Sequence, residues 1–252
     1  MRRDSRHNVD AKLSKNADHR PGNAAWMALL GGTATTVVAI GSCGLALWCS
    51  GESSALTFDA PGATMSLWLM PTGDEYVRLH DVIARRSASL GGPAFEPHVT
   101  LLGGLALDGG EVRIKESLLA TVKLAQELGP IKIKCNGIAG FDQWHQALLA
   151  TVENTDDLKR ANVLAQRHFG TPNAMEAQFA PPVRLPHLSL VYAEFPTVEL
   201  QNATIRKVAE EDRWIAGLTF TASALSMWLT TGGLAGVPQW RKIADFPVWR
   251  RS

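Results

Sequence analysis

The chain is predicted to be an α+β protein of two pseudo-symmetric lobes, each an antiparallel sheet backed by helices, around a central cleft. Three observations predict this. Pro97-His98-Val99-Thr100-Leu101 recurs, residue class for residue class, as Pro186-His187-Leu188-Ser189-Leu190. Strand-like and helix-like segments are interleaved without the regular alternation of a parallel βαβ sheet. Ile131, Ile133 and Cys135 alternate with Lys132 and Lys134, the pattern of a half-exposed antiparallel strand.

Taken in order, residues 1–23 carry six Lys or Arg against three Asp with little apolar periodicity, and read as a basic disordered tail. No charged residue lies between Pro21 and Gly51, and residues 24–49 are long enough to cross a bilayer as a helix, with Trp26 and Trp48 near its ends. This is a candidate transmembrane or signal-anchor helix, with a buried helix or a removed signal sequence as the competing readings. Residues 50–63 read as a linker and residues 64–252 as one folded domain. A retained helix implies a membrane-anchored protein with its domain on the far side from the basic flank. Initiation at Met65 gives instead a cytoplasmic protein with no anchor.

Within the domain, Thr64 to Met70 reads as a strand ended by Pro71 and Gly73, and Asp74 to Leu90 as a helix closed by Gly91-Gly92-Pro93. His98 to Leu107 is the first motif strand, and Val112 to Leu128 the next helix, stopped by Gly129-Pro130. Ile131 to Cys135 and His145 to Val152 form an expected antiparallel pair. Thr155 caps a helix that runs to Phe169, and the Pro- and Ala-rich stretch from Gly170 to Pro186 connects it to the second motif strand. Val198 to Trp214 is a further helix, followed by strands at Leu218 to Phe220, Ala224 to Thr230 and Arg241 to Phe246.

Outside the tail the chain holds nineteen basic and twenty-one acidic residues, which argues against duplex nucleic acid as partner, because neutralising several phosphates needs a concentrated basic face. Cys135 stands alone in the domain, and no Cys/His cluster has the spacing of a metal site. Neither a metal nor another cofactor is therefore expected, and the catalytic domain is expected to be monomeric.

In a strand, residues two apart share a face, so His98 stands beside Thr100 and His187 beside Ser189. Each pair joins an imidazole that trades a proton near neutral pH to a hydroxyl that donates to an anionic oxygen. Two such pairs suit hydrolysis of a phosphoryl compound. The hydroxyls grip phosphate oxygens while one imidazole takes a proton from water and the other protonates the leaving oxygen. His98 and His187 are the catalytic candidates, and Thr100 and Ser189 the substrate-binding ones. One motif alone is more often structural, and Pro97 and Pro186 also suit the plain role of opening a strand. The duplication outweighs that reading.

The two His-x-Thr/Ser motifs resemble those of the 2H phosphoesterase superfamily, and Phe95-Glu96-Pro97-His98-Val99-Thr100 resembles its cyclic phosphodiesterase branch. Met65 to Pro71, Leu188 to Tyr192 and Gln239 to Pro247 are similar to that family's opening, second-motif and closing strands. The resemblance implies a cyclic phosphate as small-molecule substrate. It implies metal-independent opening of 2′,3′-cyclic nucleotides to nucleoside 2′-phosphates, and hydrolysis of ADP-ribose 1″,2″-cyclic phosphate, a by-product of tRNA splicing. It also implies His187 as base, His98 as acid, and Tyr192 near the nucleobase, although the strand parity of Tyr192 is opposite to that of His187. An RNA-end-directed relative, 2′,5′-ligase-like or exonucleolytic, and a non-catalytic phosphate-binding membrane protein are the alternatives.

Overall fold

The computed structural model of the chain describes residues 36–41, 44–49, 63–108, 110–170, 186–230 and 232–248. The tail of residues 1–23, residues 24–35, nearly all of the 50–63 linker and the 171–185 connection lie outside them. Where the expected helix over 24–49 is described, it is replaced by a hairpin. β1 (Thr36–Gly41) and β2 (Gly44–Cys49) pair antiparallel, Thr36 opposite Cys49 and Gly41 opposite Gly44. The β-branched residues Thr36, Val37, Val38 and Ile40 favour extended backbone, and glycines bracket the reversal. Among the described residues no helix is long and apolar enough to cross a membrane.

The other strands are β3 (Thr64–Leu69), β4 (Val99–Ala106), β5 (Ile131–Ala139), β6 (Leu148–Val152), β7 (His187–Val191), β8 (Thr219–Ala222), β9 (Ala224–Thr230) and β10 (Arg241–Pro247). They form one eight-stranded antiparallel sheet in the order β10-β9-β3-β4-β7-β6-β5-β8. Helices α1 (Gly73–Leu90), α2 (Gly110–Glu127), α3 (Asp156–Phe169) and α4 (Val198–Glu211) complete the predicted α+β fold. The sheet divides into two four-stranded halves, and each holds a repeat of strand, helix and motif strand: β3-α1-β4 in one, β6-α3-β7 in the other. The halves meet edge to edge. Their motif strands β4 and β7 are sheet neighbours that pair at Val99 and Leu188.

The helices lock this seam by crossing it. α1 leads into β4 yet packs on β7, while α3 leads into β7 yet packs on β4. At the second crossing the buried Asn162 Nδ2 donates to the Leu101 carbonyl at 2.8 Å, and Gln166 Nε2 donates to Asn162 Oδ1 at 2.9 Å. At the first, a Cβ on Gly92 would lie 2.3 Å from the Tyr192 carbonyl oxygen, so only glycine lets the loop after α1 meet the end of β7. α1 is tied to the end of α4 by Arg86, whose Nε donates to Asp212 at 3.1 Å inside a largely buried ion pair.

Several boundaries follow the local chemistry. The Thr155 hydroxyl accepts from the Leu158 amide at 3.3 Å, the expected cap of α3, and left-handed Gly170 ends that helix. β5 alternates buried and exposed residues from Ile131 to Asn136 as the sequence alternation predicts. His145, predicted to open β6, lies in the preceding 3-10 turn Trp144–Gln146. Val99, Leu101, Leu188, Leu190, Leu225 and Met227 point from the sheet into the main core. Alternation puts Ser66, Trp68, Thr100, His187, Ser189, Ser226 and Trp228 on the opposite face, which carries hydroxyls, indoles and imidazole.

Candidate active site

The Val99–Leu188 pair builds the site. Both residues are fully buried, and residues directly opposite each other in an antiparallel ladder share a face. Their flanking neighbours therefore turn together to the other face: His98 and Thr100 from one motif, His187 and Ser189 from the other. The four residues singled out by the sequence thus converge. His98 is also close enough to His187 for the second ring to bear on its protonation. Ser189 is buried, whereas Thr100 and His187 are half-buried.

His98 is clamped on three sides. Its Nδ1 lies 2.6 Å from the Glu96 carbonyl oxygen, which only accepts, so Nδ1 carries the hydrogen and Nε2 of the neutral ring keeps its lone pair. The indole of Trp68 stacks on the imidazole with centroids 3.6 Å apart and planes 7° from parallel, and Phe95 meets it edge-on at 6.2 Å. Burial disfavours the charged ring and pushes its pKa down to about 3. The Glu96 carbonyl opposes this and His187 adds to it. His98 is neutral at neutral pH in the ligand-free protein.

Ser189 is engaged as well, since its Oγ donates to the His145 carbonyl at 2.9 Å. Gripping a phosphate oxygen requires that hydroxyl to rotate away from His145. The phenol of Tyr192 shares a hydrogen bond with Ser189, and burial raises its pKa. Tyr192 is 3% exposed, stacked on Phe95 at 3.8 Å and edge-on to Trp144 and Trp240 at 5.3 and 5.8 Å. It adjoins the site from within the core, with no ring face open to a nucleobase. It stands one residue beyond β7, so the strand parity that set it opposite to His187 does not govern its side chain.

Three contributors escaped sequence reading. Trp68 lies opposite Thr100 across the β3–β4 ladder, and that pairing brings its ring onto His98. The carbonyls of Glu96 and His145 are backbone groups, invisible to any motif. Trp228 is 7% exposed and stacks on Trp68 at 4.4 Å, which makes it core support. Outside the site, His168 pairs with Glu127 at 2.9 Å, and the exposed His80 stacks on Tyr76 at 5.7 Å. Among the described residues no group of three or more His, Cys, Asp or Glu is placed to hold a metal ion.

A family model described as cyclic phosphodiesterase-like protein matches residues 63–251, which span both halves of the sheet and all four converging residues. The chain belongs to this family. It is accordingly a phosphodiesterase of the 2H phosphoesterase superfamily, as the paired motifs imply. The cyclic phosphodiesterase of Arabidopsis thaliana is 24% identical over 179 residues, covering 71% of this chain and 92% of that protein. Among solved structures, TT0787 of Thermus thermophilus shares the fold with a TM-score of 0.52 at 14% identity, covering 75% of this chain and all of that one. E. coli LigT complexed with 3′-AMP aligns with a TM-score of 0.47 at 8% identity, over 75% of this chain and 99% of that one.

Proposed function

We propose that this cyclic phosphodiesterase-like protein hydrolyses 2′,3′-cyclic nucleotides to nucleoside 2′-phosphates, and ADP-ribose 1″,2″-cyclic phosphate to ADP-ribose 1″-phosphate, through His98 and His187 without a metal. The observation that carries this reading is the Val99–Leu188 pairing, which turns both His-x-Thr/Ser motifs to one face of one sheet. Water attacks phosphorus in line with the departing ribose oxygen. His187 removes the water's proton, the phosphorus–3′-oxygen bond breaks, and His98 protonates that oxygen, so the phosphate remains on the 2′-oxygen. Thr100 and Ser189 donate to the non-bridging oxygens, where charge develops.

The role of acid asks something of His98. Neutral in the free protein, it takes up its proton with the substrate, because an anionic phosphodiester placed beside the ring favours the charged form and offsets its desolvation. The stacked Trp68 face favours an imidazolium further, as a cation on an aromatic ring.

The test is a panel of 2′,3′-cyclic mononucleotides, ADP-ribose cyclic phosphate and RNA ending in a 2′,3′-cyclic phosphate, with products separated by phosphorus NMR and with EDTA present. The expected result is turnover of the small cyclic phosphates to 2′- and 1″-phosphates. A 3′-phosphate product, or activity confined to RNA ends, contradicts it.

A further inference from the structure

Glu96 does two things at once. Its carbonyl accepts from His98 Nδ1 at 2.6 Å, and its carboxylate accepts a hydrogen bond of 2.5 Å from the phenol of Tyr76, which stands in the first turn of α1. Residue 97 is proline, which confines Glu96 to extended backbone and so fixes the direction of its carbonyl. The side chain has no such constraint. Unless held, the carboxylate of a residue two places before His98 is free to turn toward the imidazole or toward the place of the substrate's phosphate. Asp74 and Glu75 share the first turn of α1 with Tyr76, whose phenol is the uncharged group of that turn that donates to Glu96.

We infer that Tyr76 is a positioning residue for catalysis: by holding the Glu96 carboxylate on α1 it keeps that charge off His98 and off the anionic substrate, while the Glu96 carbonyl aims Nε2 at the reacting phosphate. The groups that bear on His98 fit this division. Trp68 on β3 and Phe95 on the same loop are uncharged, His187 on β7 is the other member of the pair, and Glu96 is the one acid in its immediate loop. A released Glu96 carboxylate gives His98 an ion-pair partner, raises its pKa and repels the phosphodiester. Burial and the bond to Glu96 push the Tyr76 phenol's own pKa up, so it remains a donor across the working pH range.

The inference rests on His98 being catalytic. Its test is kinetics on a 2′,3′-cyclic nucleotide with Tyr76→Phe, Glu96→Gln and the double variant, alongside His98→Ala and thermal melts. Tyr76→Phe is expected to lower kcat/KM by about tenfold, with part of the loss in KM, and to move the acid limb of the pH profile upward while the melting temperature stays near wild type. Glu96→Gln keeps the accepting oxygen but not the charge, so in the double variant the acid limb is expected to return toward the wild-type position. If His98→Ala retains wild-type activity, the underlying function is wrong. If His98→Ala is inactive but Tyr76→Phe keeps the wild-type rate and acid limb, or the double variant keeps the shifted limb, the positioning role is overturned.

Discussion

The two halves of the sheet carry the same five-residue motif in unlike surroundings. His98 is 4% exposed, stacked between Trp68 and the edge of Phe95, tied to a carbonyl and neutral well below the ordinary histidine range. His187 is half-buried at the start of β7, opposite Thr151 of β6. Thr100 is half-buried, whereas Ser189 is buried and already donating to His145. A duplicated sequence thus yields two chemically distinct imidazoles. Base and acid must hold different protonation states at one pH, so His98, neutral in the free protein, serves as the acid only once the bound phosphodiester has brought it a proton.

The hardest way to break this comparison is to remove either ring. His98→Ala and His187→Ala are each expected to lower kcat by at least about a hundredfold with the fold retained, as circular dichroism and a melt can show. A substrate with a p-nitrophenolate leaving group needs little acid assistance. On a phosphodiester of that kind His98→Ala is expected to recover much of its loss and His187→Ala to recover none. Recovery by the other variant exchanges the two roles.

Smaller losses are expected from the hydroxyls. Thr100→Ala should cost about tenfold or more in kcat/KM, and Ser189→Ala less, because the Ser189 hydroxyl must first give up its bond to the His145 carbonyl. Equal losses would show that both hydroxyls grip the phosphate alike.

The pH dependence separates the rings by environment. In the free protein His98 takes up a proton only at about pH 3, because burial disfavours the charged ring. kcat/KM is therefore expected to persist far below about pH 6.5 in brief assays; an acid limb near 6.5 contradicts the burial of His98. Stability carries the same signature with its sign fixed. The unfolded chain binds that proton near pH 6.5 and the folded one only near 3, so the contribution of His98 to folding is full above 6.5 and falls as pH drops between the two. In His98→Asn, melting temperature should lose that part of its pH slope.

The smallest expected effect on catalysis lies furthest from the motifs. Arg86→Met breaks the largely buried pair with Asp212, which keeps its ion pair with Arg85 at 3.0 Å, and should lower stability by about 1–3 kcal/mol while leaving kcat near wild type at temperatures where the variant is folded.

The motif residues were legible because the sequence repeats them at one spacing, and the alternation of β5 and the Thr155 cap were legible because those signals are local. Adjacency was not. Beyond the two lobes that the sequence suggests, β4 and β7 join in one sheet at Val99 and Leu188, a contact distant in sequence that no local signal in either strand marks. Trp68 read as part of an opening strand, because its stacking on His98 depends on the β3–β4 register, which shifts between Met65 and Trp68. The expected role of Tyr192 at a nucleobase did not foresee Phe95 on its face. In the 24–49 segment, apolar length outweighed the β-branched run that the structure uses in β1.

The inequality of the two imidazoles is tested most directly by nitrogen-15 NMR of the histidine side chains through an acid titration of the ligand-free protein. The expected result is a His98 ring that remains neutral with its hydrogen on Nδ1 until about pH 3, and whose resonances move when a cyclic phosphate binds. Titration of His98 near pH 6.5, or a neutral ring with its hydrogen on Nε2, contradicts the site described.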